Sequence, residues 1–155
     1  PIELSYDHIG LVEVLQYALE QLKSKSLQPD ICLVLEQTYP FRSSGLLDHM
    51  IDQFLQEELD ALIPVKGEFR AAWKKTLGKL EQLSSLMPRT LKTDEILISL
   101  LGLGFVVRPE KIMDSTLGFE NLGVHEITHE LSNLEVRTEM SRLLLASAME
   151  QFWSH

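Results

Sequence analysis

The feature that most constrains this chain is an unbroken apolar run at residues 31–35, with the sequence ICLVL, which ends at Glu36. A run of this length without polar alternation is typical of a strand covered on both faces of a sheet. The loop at residues 37–42, with the sequence QTYPFR, follows at once, and a helical pattern begins near Leu46. Open α/β sheets build ligand sites in loops at the ends of strands. The run therefore predicts a buried strand that carries polar groups and one arginine into a site for a small anionic ligand.

Helical and extended patterns alternate along the rest of the chain, which is typical of a sheet flanked by helices. Apolar residues at helical spacing predict helices at residues 7–23, 44–59, 108–112 and 138–152, with Asp7 as the first N-cap. Short apolar runs predict further strands at residues 60–65, 100–107 and 124–127. Pro64 indicates a position near a sheet edge or strand end, and the two glycines of the 100–107 run indicate a bulge or a close approach to the backbone. We predict an α/β fold with a mostly parallel sheet, in one domain over residues 1–155.

The composition excludes some classes of function. The net charge of −9 at pH 7 argues against non-specific nucleic-acid binding, which needs a basic surface. No run is apolar and long enough to cross a bilayer, and the N-terminus has no signal peptide, so we expect a cytoplasmic protein without a membrane partner. The single cysteine, Cys32, lies inside the apolar run and is predicted to be a small core residue rather than a nucleophile.

The basic residues are unevenly distributed. Seven of the fourteen Lys and Arg residues lie between positions 66 and 92, where only Glu68 and Glu81 oppose them. Such a stretch indicates either a solvated face or the rim of a site for a phosphate or carboxylate ligand.

Six segments follow one another in the order of a known family. They are PIEL at residues 1–4, LVEVLQYAL at 11–19, PDICLVLEQTYPFR at 29–42, DALIPV at 60–65, GLGFVVR at 102–108 and EVRTE at 135–139. In order and spacing these segments resemble the cytidylyltransferases that make CMP-activated acidic sugars, which include the acylneuraminate and pseudaminate enzymes. The resemblance covers essentially the whole chain, although no single motif is strong.

This resemblance implies a fold of the nucleotide-diphospho-sugar transferase type, which is GT-A-like and Rossmann-like. It implies transfer of CMP from CTP to an acidic sugar such as a nonulosonate, with Mg²⁺ as cofactor and Glu135 as a metal ligand. CTP and an acidic sugar are then the partners, and a homodimer is the expected assembly. The substrate-binding residues that it implies are Gln37, Thr38, Arg42, Arg89 and Gly102.

Simpler roles stay open for three of these residues. Gln37 could merely end the strand, Arg42 could cap or pair locally, and Arg89 could be an ordinary surface arginine. Tyr39 stands where the family has a small residue, which predicts a narrower pocket floor.

The chain departs from the family in two ways. The family's first strand and its nucleotide-binding loop have no counterpart here, so we expect a piece of a longer chain, inactive alone. The family's two metal-binding carboxylates read as Glu135 and Arg137, and apolar residues at 99–101 replace its polar ligand contacts. These departures favour an alternative, a non-catalytic or degenerate relative that acts by binding or dimerisation.

A second motif suggests a minor alternative. Residues 125–129 read HEITH and match HExxH, in which a helix places two histidines on Zn²⁺ as in metallopeptidases. Gly123 and Glu130 do not suit such a helix, and a strand would place His125 and His129 about 13 Å apart, too far for one metal. A strand is the favoured interpretation of this segment.

Overall fold

The computed structural model describes residue 6 and residues 9–114 and 118–152. The helices are α1 (Leu11–Ser24), α2 (Leu46–Gln56), α3 (Leu101–Gly104), α4 (Pro109–Met113) and α5 (Glu139–Phe152). The strands are β1 (Cys32–Val34), β2 (Ala61–Glu68), β3 (Trp73–Thr76), β4 (Lys79–Gln82), β5 (Ile96–Ser99), β6 (Phe105–Val107) and β7 (Leu122–Glu126). Short 3₁₀ turns occupy Arg89–Leu91 and Glu130–Asn133. In the described part of the chain, no helix has the length and apolar character needed to cross a membrane.

The main sheet has β2 at its centre. β2 pairs antiparallel with β6 and β5 and parallel with β7, and β6 also pairs antiparallel with β1. The prediction of a mostly parallel sheet is therefore wrong, because only one of these four pairings is parallel. β1, β2 and β7 nevertheless point in the same direction, since β6 is antiparallel to both of its neighbours. Their carboxyl ends lie at one edge of the sheet, where ligand sites of α/β proteins form.

Pro64 lies within the central strand and not at an edge. On one side, β2 pairs with β6 through Ala61 and Leu62 and with β5 from Val65 onward, so Pro64 stands where the partner changes. A proline lacks the N–H of a regular ladder, and here it falls where that ladder is interrupted. Its carbonyl still accepts a hydrogen bond from Leu100 N at 2.8 Å.

The strand predicted over residues 100–107 is only half correct. Residues 101–104 form the helical turn α3, and the strand is confined to β6. Periodicity alone does not separate a short apolar strand from a buried helical turn. The predicted close approach is present, however, since a Cβ added at Gly102 would lie 2.8 Å from the Glu36 Cβ and 2.9 Å from the Tyr39 Cδ2.

Helices cover both faces of the sheet. One core cluster joins α2 to the sheet, through Met50, Phe54, Leu62, Leu103 and Val106. The other joins α1 and α4 to the opposite face, through Leu19, Ala61, Phe105, Val107 and Ile112. The predicted α/β class with flanking helices is confirmed. β1 is half-buried rather than fully covered. The predicted N-cap, Asp7, lies outside the described residues, and the N-cap of α1 in the structure is Gly10.

The middle of the basic stretch forms an isolated hairpin of β3 and β4. All eight strand residues are exposed, and the turn residues Leu77 and Gly78 have φ values of 49° and 81°. Positive φ at both positions is the geometry that matches the twist of a two-residue hairpin. At its base, the buried Ser84 hydroxyl accepts a hydrogen bond from Ala72 N and donates one to the Arg70 carbonyl, both at 3.0 Å.

Candidate functional site

The loop that follows β1 is held in shape by Arg42. Its guanidinium donates to the carbonyls of Tyr39 at 2.8 Å and Glu36 at 3.0 Å within the loop. It also donates to the carbonyls of Leu103 at 2.8 Å and Gly102 at 2.9 Å in α3. Desolvation by burial lowers the pKa of Arg42. A guanidinium has five N–H groups, and four of those of Arg42 donate to backbone carbonyls. Arg42 therefore organises the loop instead of presenting its charge to a ligand.

Gly102 brings α3 against this loop. Its carbonyl accepts a hydrogen bond from Glu36 N at 2.8 Å as well as the one from Arg42. The side chains of Glu36 and Tyr39 fill the space that a larger residue at 102 would need. Gly102 is buried, so it shapes the cleft through its backbone.

The segment that precedes α5 completes the cluster. Val136 N donates to the Thr38 carbonyl at 2.8 Å, and Thr38 Oγ1 donates to Glu36 Oε2 at 3.0 Å. Arg137 contacts Glu135 Oε1 through its Nε at 2.5 Å and Glu36 Oε2 through its Nη2 at 3.5 Å. Three chain segments therefore meet at the carboxyl end of β1, which is where the sequence predicted a ligand site.

Tyr39 forms the buried floor of this cluster. Only 5% of the side chain is exposed. Burial raises the pKa of its hydroxyl, the Glu135 carboxylate raises it further, and the Arg137 charge opposes both effects. An aromatic ring here occupies volume that a smaller residue would leave open, in line with the narrower floor expected from the sequence.

The residues present do not fit a resident Mg²⁺. Such an ion is bound in near-octahedral geometry by one or two carboxylates together with water and substrate phosphates, whereas Glu36 and Glu135 both contact the guanidinium of Arg137. Within the described ranges, no group of three or more His, Cys, Asp or Glu side chains is placed to hold a metal ion.

The predicted site residues fall in different places. Thr38, Arg42, Gly102 and Glu135 come together in the cluster, and Gln37 is exposed at its border. Arg89 does not join them. It stacks its guanidinium on the ring of Phe69, with 5.1 Å to the ring centroid, and lines another cavity.

That cavity, of about 560 Å³, opens beside the carboxyl ends of β2 and β7. Its charged lining is mixed, with three basic side chains and four acidic ones: Lys66, Arg70, Arg89, Glu68, Glu95, Glu126 and Glu130. Arg70 is already paired, because its Nε donates to Glu68 Oε2 at 2.7 Å and lowers the pKa of Glu68 to about 2. The basic stretch therefore reaches a cleft, but acidic residues balance its charge there.

The HEITH segment is not the helix that a zinc peptidase needs. His125 lies in β7, and His129 lies in the loop that follows. His125 Nδ1 contacts Gln53 Oε1 at 2.8 Å. Its pKa is lowered mainly by desolvation and, to a smaller extent, by the charge of the nearby His49. The favoured interpretation as a strand holds for residues 125 and 126.

No protein-family model matches the sequence, and no curated protein matches it either. Its fold is similar to that of a solved structure, 4-diphosphocytidyl-2C-methyl-D-erythritol synthase from Anaerococcus prevotii, with a TM-score of 0.58 and 13% identity. The match covers 86% of this chain and 64% of that one, so the chain spans less than two thirds of that enzyme's length. At this identity the likeness shows the fold alone. The shared fold is a mixed α/β fold with a central sheet and flanking helices.

The sequence does not predict how the cluster is assembled. It indicates that Glu36 ends a strand and that Arg137 replaces a metal ligand, but it does not indicate that the two side chains are in contact. One signal for Glu36 is present in the sequence: a carboxylate that directly follows an apolar strand lies at the end of the sheet where ligands bind. The partner 101 residues later could not be found from spacing.

Proposed function

We propose that this domain is nucleotidyltransferase-like and belongs to a protein that transfers CMP from CTP to an acidic sugar such as a nonulosonate. One observation carries the proposal. The β1 loop, the α3 turn and the segment before α5 converge at the carboxyl end of β1, in a fold like that of a cytidylyltransferase. The sequence resemblance supports the acidic sugar as acceptor.

The proposed reaction is attack of a sugar hydroxyl oxygen on the α-phosphorus of CTP. The bond from that phosphorus to the oxygen bridging toward the β-phosphorus breaks, and pyrophosphate leaves with the bonding electrons, while the hydroxyl proton passes to solvent. In this chain Arg42 and Gly102 would shape the wall of the cleft, and the exposed amide of Gln37 would face the nucleotide or the sugar.

Calorimetric titration of CTP, with ATP, GTP and UTP in parallel, tests the proposal. We expect CTP to bind at least tenfold more tightly than the other nucleotides and the Gln37→Ala variant to weaken it. Equal affinities for all four nucleotides would contradict a cytidine-specific site. The Gln21→Ala variant, in which an exposed glutamine of α1 is replaced, is the matched control and should leave CTP binding unchanged.

Turnover is not expected from this chain alone. Arg137 contacts both carboxylates at the cleft, and the chain covers only part of the length of the similar enzyme. We predict no CTP-dependent release of pyrophosphate in a coupled phosphate assay with an acidic sugar as acceptor. Robust release would contradict this prediction.

A second candidate function is binding without catalysis, as in a degenerate relative. The contact of Arg137 with Glu36 and Glu135 favours it, and so does the burial of Leu100 in the core, where polar contacts would be needed. CTP binding that does not respond to Mg²⁺ would support this candidate, whereas binding that requires Mg²⁺ would support the catalytic one.

We also propose that the assembly is a homodimer formed through the β3–β4 hairpin. The hairpin exposes Trp73, Leu77 and Leu80 beside Lys74, Lys75 and Lys79. The chain as a whole carries a charge of −9, so the surface of a second copy offers acidic residues to these lysines. Apolar side chains flanked by complementary charge are suited to such a contact.

A further inference from the structure

We propose that the guanidinium of Arg137 is the resident cation of the cleft and takes the place that the family resemblance gives to a divalent metal. The Glu36 and Glu135 carboxylates are then the ligands of an arginine, and the cleft excludes Mg²⁺ and similar ions while Arg137 is present. The inference concerns the cleft of the proposed function, but it is a statement about metal binding and is tested without nucleotide.

The contacts of the two carboxylates support this assignment. Arg137 Nε lies 2.5 Å from Glu135 Oε1, and its Nη2 lies 3.5 Å from Glu36 Oε2. The same Glu36 oxygen accepts a hydrogen bond from Thr38 Oγ1 at 3.0 Å. One oxygen of each carboxylate, Glu36 Oε2 and Glu135 Oε1, therefore already contacts the Arg137 guanidinium, and Glu36 Oε2 also has a hydroxyl donor.

The position of Arg137 is fixed from both sides along the chain. On one side, Val136 N is bonded to the Thr38 carbonyl. On the other, Thr138 and Ser141 form reciprocal bonds at the start of α5, from Thr138 N to Ser141 Oγ at 3.0 Å and from Ser141 N to Thr138 Oγ1 at 3.1 Å. The side chain is 63% exposed, and the backbone on both sides of it is anchored so that the guanidinium reaches both carboxylates.

The Arg137 guanidinium and a divalent metal ion exclude each other from the two carboxylates. Arginine does not lose its proton in proteins, so its charge is permanent. A divalent ion near it would meet this charge and would have to displace the guanidinium from the carboxylates. If the charge is removed, the two carboxylates that contact Arg137 remain, and the Tyr39 hydroxyl is hydrogen-bonded to Glu135. These are all oxygen ligands, the kind that Mg²⁺ and Mn²⁺ prefer.

Titration of Mn²⁺ alone, followed by the loss of its free-ion EPR signal, tests the proposal. We expect no binding by the wild-type chain at 1 mM Mn²⁺, on the order of the weakest protein sites for such ions. We expect Arg137→Gln to bind Mn²⁺ at least tenfold more tightly, and Arg137→Gln/Glu135→Gln to lose that gain. Arg137→Lys keeps the charge and should exclude the ion as the wild type does.

Arg142→Gln is the matched control, because Arg142 forms an exposed pair with Glu139 in the first turn of α5. It should not create a Mn²⁺ site. Wild-type binding that is abolished by Glu135→Gln would overturn the proposal, and so would an Arg137→Gln variant that folds, as judged by circular dichroism, but gains no Mn²⁺.

Discussion

Arg42 connects two segments that lie sixty residues apart in the chain. Its four hydrogen bonds join the β1 loop to α3. All four acceptors are backbone carbonyls, and none of them is a carboxylate. Arg42 therefore affects function indirectly, because it positions the backbone of Glu36 and Gly102. The sequence offered both roles for this residue, and only three-dimensional proximity decides between them.

Replacing Arg42 by Ala should lower the free energy of unfolding by about 2–3 kcal/mol, because partly buried carbonyls lose charge-assisted donors. Urea denaturation measures this change. Arg142→Ala, which removes an exposed ion pair, should lower the free energy of unfolding far less. Equal losses in the two variants would contradict the positioning role of Arg42.

His125 should make stability depend on pH. Burial and His49 lower its pKa in the folded chain below the ordinary value of 6.5. Below pH 6.5 the unfolded chain then binds this proton while the folded chain does not, so the free energy of unfolding falls as the pH decreases. Above pH 6.5 the neutral histidine no longer lowers the free energy of unfolding.

Urea denaturation at pH 7.5 and 5.5 measures this effect. The free energy of unfolding should fall less between these two pH values in His125→Gln than in the wild type, and an equal or larger fall would contradict the role of His125.

The elements differ in how well the sequence predicted them. The apolar residues of α2 and α5 recur at helical spacing, which predicts both helices, and a short apolar run predicts a strand at β7. The direction of the strands and the α3 turn were not found. Pairing partners depend on contacts far apart in the chain, and the apolar run around Gly102 satisfies a strand and a buried turn equally well.

The β3–β4 hairpin is the element whose role is most readily tested. Leu77 is 99% exposed and Leu80 is 70% exposed, so replacing both with Ser should leave the fold intact. We expect the wild type to be a dimer by light scattering after size exclusion and Leu77→Ser/Leu80→Ser to be monomeric. Leu27→Ser, at a half-exposed leucine after α1, is the control and should remain dimeric. A monomeric wild type, or a dimer unaffected by the double change, would rule out this interface.

In the molecule as a whole, both candidate sites lie at one end of the sheet. β1, β2 and β7 end there, and the cluster around Glu36 and the cavity beside Lys66 both lie at these ends. The sequence predicted the location of this edge from a single apolar strand and its loop. It could not predict that Arg89 would stack on Phe69 away from the cluster, because that outcome depends on the path of the hairpin.

The most direct test of the proposed cleft is a CTP titration followed by ¹H–¹⁵N correlation spectra of the uniformly labelled chain. The account predicts that the largest shift changes occur at the amides of Thr38, Gly102 and Val136, which belong to the three converging segments. It predicts little change at Thr76 and Leu80 in the hairpin. The absence of any shift at millimolar CTP, or shifts confined to the hairpin, would contradict the assignment of a nucleotide site to the carboxyl end of β1.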